Sequence, residues 1–191
     1  MEPITKKQLD NLHSEDANIR YEAFKYIIHV TNQPVDWAYE VWDDLLLQLN
    51  HTNNHQRAIA AQVLSNLARS DTEKRMLKDF DKIIKVTKDE RFVTARHSLL
   101  SLWKIAAAGK EFQHVVVNYL EDRFKKCKAE KNCTLIRYDI IEVLRKLYNQ
   151  VPDGAVKDKA LALIDTEADM KYRKKYAGLW KDIIKVTRGK T

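Results

Sequence analysis

Glycine and proline are scarce in this 191-residue sequence, which contains four of the first and three of the second. Turn-rich β-sandwiches and disordered linkers use far more of both residues. Hydrophobic residues make up 45% of the chain and charged residues 32%, so enough apolar side chains are present for an ordinary core. The composition therefore favours one helical domain over residues 1–191.

The sequence also lacks a long hydrophobic run. No stretch approaches the roughly 18 consecutive apolar residues that a transmembrane helix needs. Its start, MEPITKKQLD, has neither the apolar segment nor the small-residue cleavage site of a secretory signal. We therefore predict a cytoplasmic protein with no membrane span.

Cysteine is equally rare. Cys127 and Cys133 form CKAEKNC, a spacing that matches no common zinc motif. We expect two reduced thiols, which suits a reducing compartment. His51 and His55 are close in sequence, but they lie in HTNNHQR among residues that favour a polar turn. We predict no metal site and no cofactor.

Sequence motifs of common enzymes are absent as well. The chain has no GxSxG, no glycine-rich phosphate loop and no HExxH. We therefore expect a protein that is not an enzyme.

What the sequence does contain is a pattern led by five arginines. They lie 36 to 41 residues apart, at Arg20, Arg57, Arg96, Arg137 and Arg173. Residues three, four, seven and ten beyond each arginine are apolar, which is one stripe of a helix. These twenty positions are Ala23, Phe24, Ile27, Val30, Ala60, Ala61, Leu64, Leu67, Leu99, Leu100, Trp103, Ala106, Ile140, Ile141, Leu144, Leu147, Tyr176, Ala177, Trp180 and Ile183.

Helical periodicity also appears between these segments. It covers residues 4–12, 37–49, 73–87, 110–127 and 155–165. The sequence thus predicts about ten helices in five antiparallel pairs. Because one pair buries only part of its apolar surface, neighbouring pairs must stack, which is the physical basis of an α-solenoid.

Two octapeptides resemble each other across the chain, DKIIKVTK (81–88) and KDIIKVTR (181–188). Counted from the arginines, the first ends the opening helix of the third pair, and the second lies within the closing helix of the fifth. We interpret the likeness as two amphipathic helices with the same apolar spacing, not as equivalent positions of a repeat.

The residues before the arginines indicate helix starts. DANIR (16–20) and NNHQR (53–57) place Asp or Asn four residues before the arginine, where its side chain would cap the helix. In this form, D-x-x-I-R followed by small and apolar residues, the sequence resembles HEAT-like repeats of the armadillo-type α-solenoid class. FVTAR (92–96) and CTLIR (133–137) depart from the pattern because they lack the capping residue. The resemblance implies an all-α solenoid.

One segment, VDWAYEVWDD (35–44), combines indoles with carboxylates. Some HEAT-like DNA alkylation-repair glycosylases use Trp and Asp to hold a cationic base, and an aromatic cage can bind a cation. The helical spacing of Trp37, Val41 and Leu45 favours core packing instead.

Positive charge is concentrated in the second half. Residues 1–95 contain 13 Lys and Arg against 15 Asp and Glu, whereas residues 96–191 contain 21 against 12. The densest basic segment, residues 171–190, also carries Tyr172, Tyr176 and Trp180. Basic and aromatic residues together suit nucleic acid, but they also suit a soluble, charged end of a helical array. An acidic protein or a membrane surface is a further possible partner for this segment.

Eleven side chains project away from the apolar stripes and predict a binding groove. They are Tyr21, Lys25, Gln62, Arg69, His97, Lys104, Tyr138, Arg145, Lys174, Lys181 and Lys185. We expect a scaffold that offers this groove, basic toward the C-terminal half, to an acidic protein or peptide. The alternative is a nucleic-acid-binding protein related to the HEAT-like DNA alkylation-repair proteins.

Overall fold

The computed structural model describes the backbone of residues 1–188 and the side chains through Ile184. The structure is 77% helical, and the described residues form no strand. The α-helices in this range are α1 (Pro3–Asn11), α2 (Ala17–Val30), α3 (Ala38–Gln48), α4 (Asn54–Leu67), α5 (Arg75–Val86), α6 (Phe92–Ala107), α7 (Lys110–Lys126), α8 (Cys133–Gln150), α9 (Gly154–Asp165), α10 (Met170–Gly178) and α11 (Lys181–Arg188). The predicted all-α class is confirmed.

Consecutive helices pack together, and so do alternate ones. Helix α1 contacts α2, α3 contacts α4, and the same holds for α5 with α6, α7 with α8 and α9 with α10. The even-numbered helices form a second series, in which α4 lies between α2 and α6, and α8 lies between α6 and α10. The five arginines therefore belong to helices that follow one another in space.

The core is built from the apolar stripes. All twenty positions predicted from the arginines are buried or half-buried, from Ala23 in α2 to Ile183 in α11. One cluster of buried residues extends from Leu12 to Trp180, and it includes members of every helix from α3 to α10. Periodicity alone therefore located the inward face of each even-numbered helix through α10.

Helix starts follow the capping pattern. Asp16 accepts hydrogen bonds from the backbone N–H groups of Asn18 and Ile19, and Asn53 accepts one from His55. Asp169 caps α10 in the same way, four residues before its arginine. No side chain caps α6 or α8, as their sequences predict.

Three of the five arginines hydrogen-bond to the loop that precedes their helix. We call each contacting pair, from α1 with α2 to α9 with α10, a unit. In three of the five units the guanidinium donates to the backbone carbonyl six residues earlier, which ties the preceding loop to its helix. These bonds join Arg20 to Ser14 O (2.6 Å), Arg57 to His51 O (2.8 Å) and Arg173 to Glu167 O (2.9 Å).

Three of the arginines also bind a carboxylate at or near the start of the next even-numbered helix. The ion pairs are Arg57–Asp89 (2.6 Å), Arg96–Asp139 (2.7 Å) and Arg137–Glu167 (2.8 Å). Each carboxylate side chain is at most 7% exposed, so these pairs join neighbouring units below the surface.

The fifth unit differs from its prediction. The segment after Arg173 is not one helix, because α10 ends at Gly178 and a turn through Leu179 and Trp180 precedes α11. Glycine weakens a helix interior, and the turn carries Trp180 fully into the core, where its Nε1 donates to Ile141 O (3.4 Å). KDIIKVTR is therefore a separate helix, and its assignment to the closing helix of the fifth pair was wrong.

The expectation of reduced thiols was also wrong. Cys127 and Cys133 form a disulfide, with Cα atoms 5.2 Å apart. A short 3₁₀ turn over Cys127–Ala129 folds the chain back toward the start of α8, and sequence spacing alone does not reveal such a path. The cysteines consequently give no support for a reducing compartment.

Candidate functional site

Ten of the eleven predicted groove residues have described side chains. The side chain of Lys185 lies outside the described residues. The ten are distributed over six helices, α2, α4, α6, α8, α10 and α11, and the turn that follows α4. They differ in exposure and in the partners they already have.

The middle of the surface holds three cations from three successive units. Arg69 follows α4, Lys104 lies in the last turn of α6, and Lys146 lies in α8. We call these three residues the basic ridge. They are close enough for the charges of Arg69 and Lys146 to act on Lys104. Lys146 is the member that sequence reasoning missed.

Lys104 has the most unusual environment of the three. Its side chain is half-buried, and its Nζ lies 5.7 Å from the ring centroid of Trp103. Burial lowers the pKa of Lys104 below its ordinary value, and the neighbouring charges of Arg69 and Lys146 lower it further. The ammonium group is therefore held where positive charge is disfavoured.

Compensating negative charge on the ridge is limited. Lys146 pairs with Glu142 at 2.7 Å. Arg69 donates to the backbone oxygen of Asn32 at 2.5 Å. Within the described part of the chain, neither Arg69 nor Lys104 forms an ion pair with a carboxylate. Two of the three cations are thus available to an external anion.

The N-terminal part of the predicted groove is largely satisfied by local contacts. Lys25 pairs with Glu22 at 2.8 Å and lies 5.2 Å from the ring centroid of Tyr21. The amide of Gln62 donates to Ala58 O in its own helix, at 3.0 Å. Tyr21 remains 59% exposed, which leaves an aromatic face open at this end.

At the C-terminal part, Arg145 is already engaged. It pairs with Asp182 of α11 at 2.7 Å, and its guanidinium carbon lies 5.2 Å from the Trp180 ring centroid. Its side chain is only 18% exposed. Arg145 therefore holds α11 against α8, and it is not a free member of the groove.

The remaining predicted residues include both free and stacked side chains. His97, Lys174 and Lys181 are exposed, and Tyr138 is half-buried. Lys175, which sequence reasoning missed, lies 4.9 Å from the Tyr138 ring centroid. Both missed lysines directly follow a predicted position, Arg145 or Lys174, because the exposed arc of a helix is wider than the single row used for prediction.

The two indoles of the segment at 35–44 are buried in the core. Trp37 and Trp42 are 5% and 0% exposed, which confirms the core interpretation. The Trp42 indole donates to Asp79 at 3.0 Å, and Arg75 covers its ring. A cation of the protein itself therefore occupies the position where a cationic base would stack.

A cavity of about 450 Å³ lies between α1, α3 and α4. Its lining includes Leu9 and Val41 together with the acidic Asp10, Glu40 and Asp44. None of the three basic-ridge residues lines it. The ridge is thus separate from this acidic cavity.

Comparisons with known proteins find a similar fold and give no information about chemistry. No protein-family model matches the sequence. No curated protein matches it either. The fold is similar to a crystal structure of an engineered protein from the Northeast Structural Genomics Consortium, with 18% identity, a TM-score of 0.54, and coverage of 93% of this chain and 79% of that one. A second engineered protein from the same consortium has 18% identity and a TM-score of 0.48, over 97% of this chain and 98% of the other. None of the helices in the described range is long and apolar enough to cross a membrane.

Proposed function

We propose that the protein is a non-enzymatic binding module that offers its basic ridge to an acidic segment of a partner protein. The observation that carries the proposal is the cluster of Arg69, Lys104 and Lys146 from three successive units, in which neither Arg69 nor Lys104 pairs with a carboxylate of the described residues. Like charges held close in a half-buried site cost free energy in the unbound protein. A ligand carboxylate would relieve that cost.

The architecture we infer is a short α-solenoid of HEAT-like repeats. Its support is the packing of the even-numbered helices in chain order and the arginines at equivalent positions within them. In such an array the even-numbered helices would line one continuous surface, on which Arg69, Lys104 and Lys146 come from successive repeats. An extended peptide lying across these helices would contact all three.

The test is a titration of the full chain with a fluorescently labelled peptide of glutamates, followed by anisotropy. The triple variant R69Q/K104Q/K146Q should bind at least about tenfold more weakly, the equivalent of losing about 1.4 kcal/mol. The matched control is K7Q/K78Q/K85Q, which removes the same net charge from exposed positions on α1 and α5. An equal loss in both variants would show a response to net charge alone and overturn the proposal.

Nucleic acid is the competing ligand, because the exposed Lys174, Lys175 and Lys181 lie near the C-terminal end of the array. The same titration with a single-stranded oligonucleotide of equal charge separates the two. Affinity that exceeds that of the peptide and falls steeply with salt would replace the protein-partner proposal with nucleic-acid binding.

A further inference from the structure

A second cavity, of about 230 Å³, lies where the start of α6 meets the C-terminal end of α7 and the start of α8. The loop before α6, the first turn of α6, Arg123 of α7 and the loop before α8 form its walls. We call it the Arg123 cavity. No basic-ridge residue lines it.

Arg123 is a buried cation in the wall of this cavity. Its side chain is 4% exposed, and its Nη2 donates to Glu130 Oε2 (2.8 Å) and, at longer distance, to Thr87 O (3.4 Å). The Nε and Nη1 atoms are buried and have no well-aligned acceptor among the described residues, although the Tyr119 hydroxyl interacts with the same guanidinium. Because buried donors without acceptors are costly, these N–H groups point to an acceptor supplied from outside the chain.

The helix starts at the cavity reinforce this interpretation. Phe92 and Ala95, from the first turn of α6, line it, and so does Asn132, which precedes α8. Neither α6 nor α8 has a side-chain cap, a feature they share with α1, α3 and α7, whereas α2, α4, α9 and α10 are capped. Uncapped backbone N–H groups and the positive end of the helix dipole favour an anion.

Charge at the cavity is consistent with an anionic ligand. Its lining contains four basic residues, Lys88, Arg96, Arg123 and Lys131, and three acidic ones, Asp89, Glu90 and Glu130. Asp89 and Glu130 are already paired, with Arg57 and Arg123. Lys88 and Lys131 form no ion pair within the described part of the chain. The two positive charges of Lys88 and Lys131 therefore exceed the single negative charge of Glu90.

We propose that the Arg123 cavity binds a small oxyanion of the phosphate class. Its volume is below the roughly 300 Å³ at which sites for drug-sized ligands begin, so a small ion suits it better than a large metabolite. The planar guanidinium offers several N–H donors to the oxygens of one anion. This site is independent of the acidic-partner proposal for the ridge.

The test uses inorganic phosphate with the full chain, by calorimetry and by thermal unfolding, against sodium chloride at equal ionic strength. Phosphate should bind saturably in the millimolar range and raise the unfolding temperature, as a ligand of the native state does. R123K keeps the charge but loses the fork of donors, and its affinity should fall at least about tenfold.

A second variant keeps the result interpretable if R123K folds poorly. R91D places a capping carboxylate before α6, so it should preserve stability while occupying the N–H groups and repelling phosphate. K7D on α1 makes the same charge change away from the cavity lining, and K104Q removes charge from the ridge. Both of these controls should retain wild-type affinity. Absence of saturable binding, or equal binding by the wild type and R91D, would overturn the proposal.

Discussion

Arg96 of α6 and Asp139 of α8 form a bidentate ion pair, with two parallel hydrogen bonds. Nε donates to Oδ2 at 2.7 Å and Nη2 donates to Oδ1 at 2.8 Å, while the Asp139 side chain is fully buried. Burial raises the pKa of Asp139, and the Arg96 charge acts against that rise. The pair therefore joins two units through a carboxylate whose charge depends on one arginine.

Removing one member of this pair should be strongly destabilising. In D139N the guanidinium loses its charged partner, and we expect the free energy of unfolding to fall by about 3 kcal/mol, the lower end for a broken buried pair, because Arg96 is partly exposed. Urea unfolding followed by circular dichroism measures the change.

The control is D122N, which breaks the exposed Lys126–Asp122 pair and should change stability little. The double variant R96Q/D139N should lose less than the sum of its two single variants, since the pair acts as a unit. Strict additivity would show that the two residues are not coupled.

The contribution of Asp153 to the stability of the fold should depend on pH. Lys110 (2.6 Å), Gln113 (2.7 Å) and the Ala155 N–H (2.9 Å) all bind its carboxylate, and together they lower its pKa to about 2. In the unfolded chain an aspartate titrates near pH 4. Its contribution is thus present above about pH 4 and is lost as the pH falls toward about 2.

D153N is the variant that isolates this charge, because asparagine also caps a helix. The wild type should be the more stable near neutral pH, and the difference in unfolding free energy should shrink as the pH falls from about 5 to about 2. D153A, which also removes the cap of α9, should lose about 1 kcal/mol more. A difference between wild type and D153N that does not vary with pH would contradict the assigned pKa.

A third prediction concerns the contribution of the disulfide to stability. A bridge between Cys127 and Cys133 closes a short loop, and the chain-entropy model assigns such a loop about 2 kcal/mol. Reductant should lower the stability of the wild type by about that amount and leave C127A/C133A unchanged. Mass spectrometry after alkylation gives an independent measure, since two alkyl groups added without reductant would contradict the bridge.

The parts of the structure that sequence predicted are those set by local pattern. Apolar spacing along one helix identified the buried face that holds Leu64 or Leu144, and residue type identified the caps at Asp16 and Asn53. Neither inference needs knowledge of neighbouring helices.

The parts that sequence missed depend on how the chain returns to itself. Arg123 looks like one of many exposed cations in RFKKCKAEK, yet it is buried because the loops at Thr87 and Glu130 cover it. Arg145 looks like a groove residue until α11 turns back and brings Asp182 to it. Long-range contacts of this kind leave no periodic trace in the sequence.

The last prediction concerns the charge coupling on the basic ridge. R69Q removes one of the two cations that lower the pKa of Lys104, so that pKa should rise toward its ordinary value while burial still holds it below. Side-chain NMR titration of the lysine Cε resonances measures it. The control K25Q removes a cation from α2 that is paired with Glu22, and it should leave the pKa of Lys104 unchanged.

The same change should alter how stability depends on pH. Because the pKa of Lys104 is lowered in the folded wild type, the unfolded state binds more protons, and the free energy of unfolding rises with pH in the alkaline range. R69Q should weaken that rise. If the Lys104 pKa is the same in R69Q as in the wild type, the two cations are not coupled and the ridge loses its electrostatic basis.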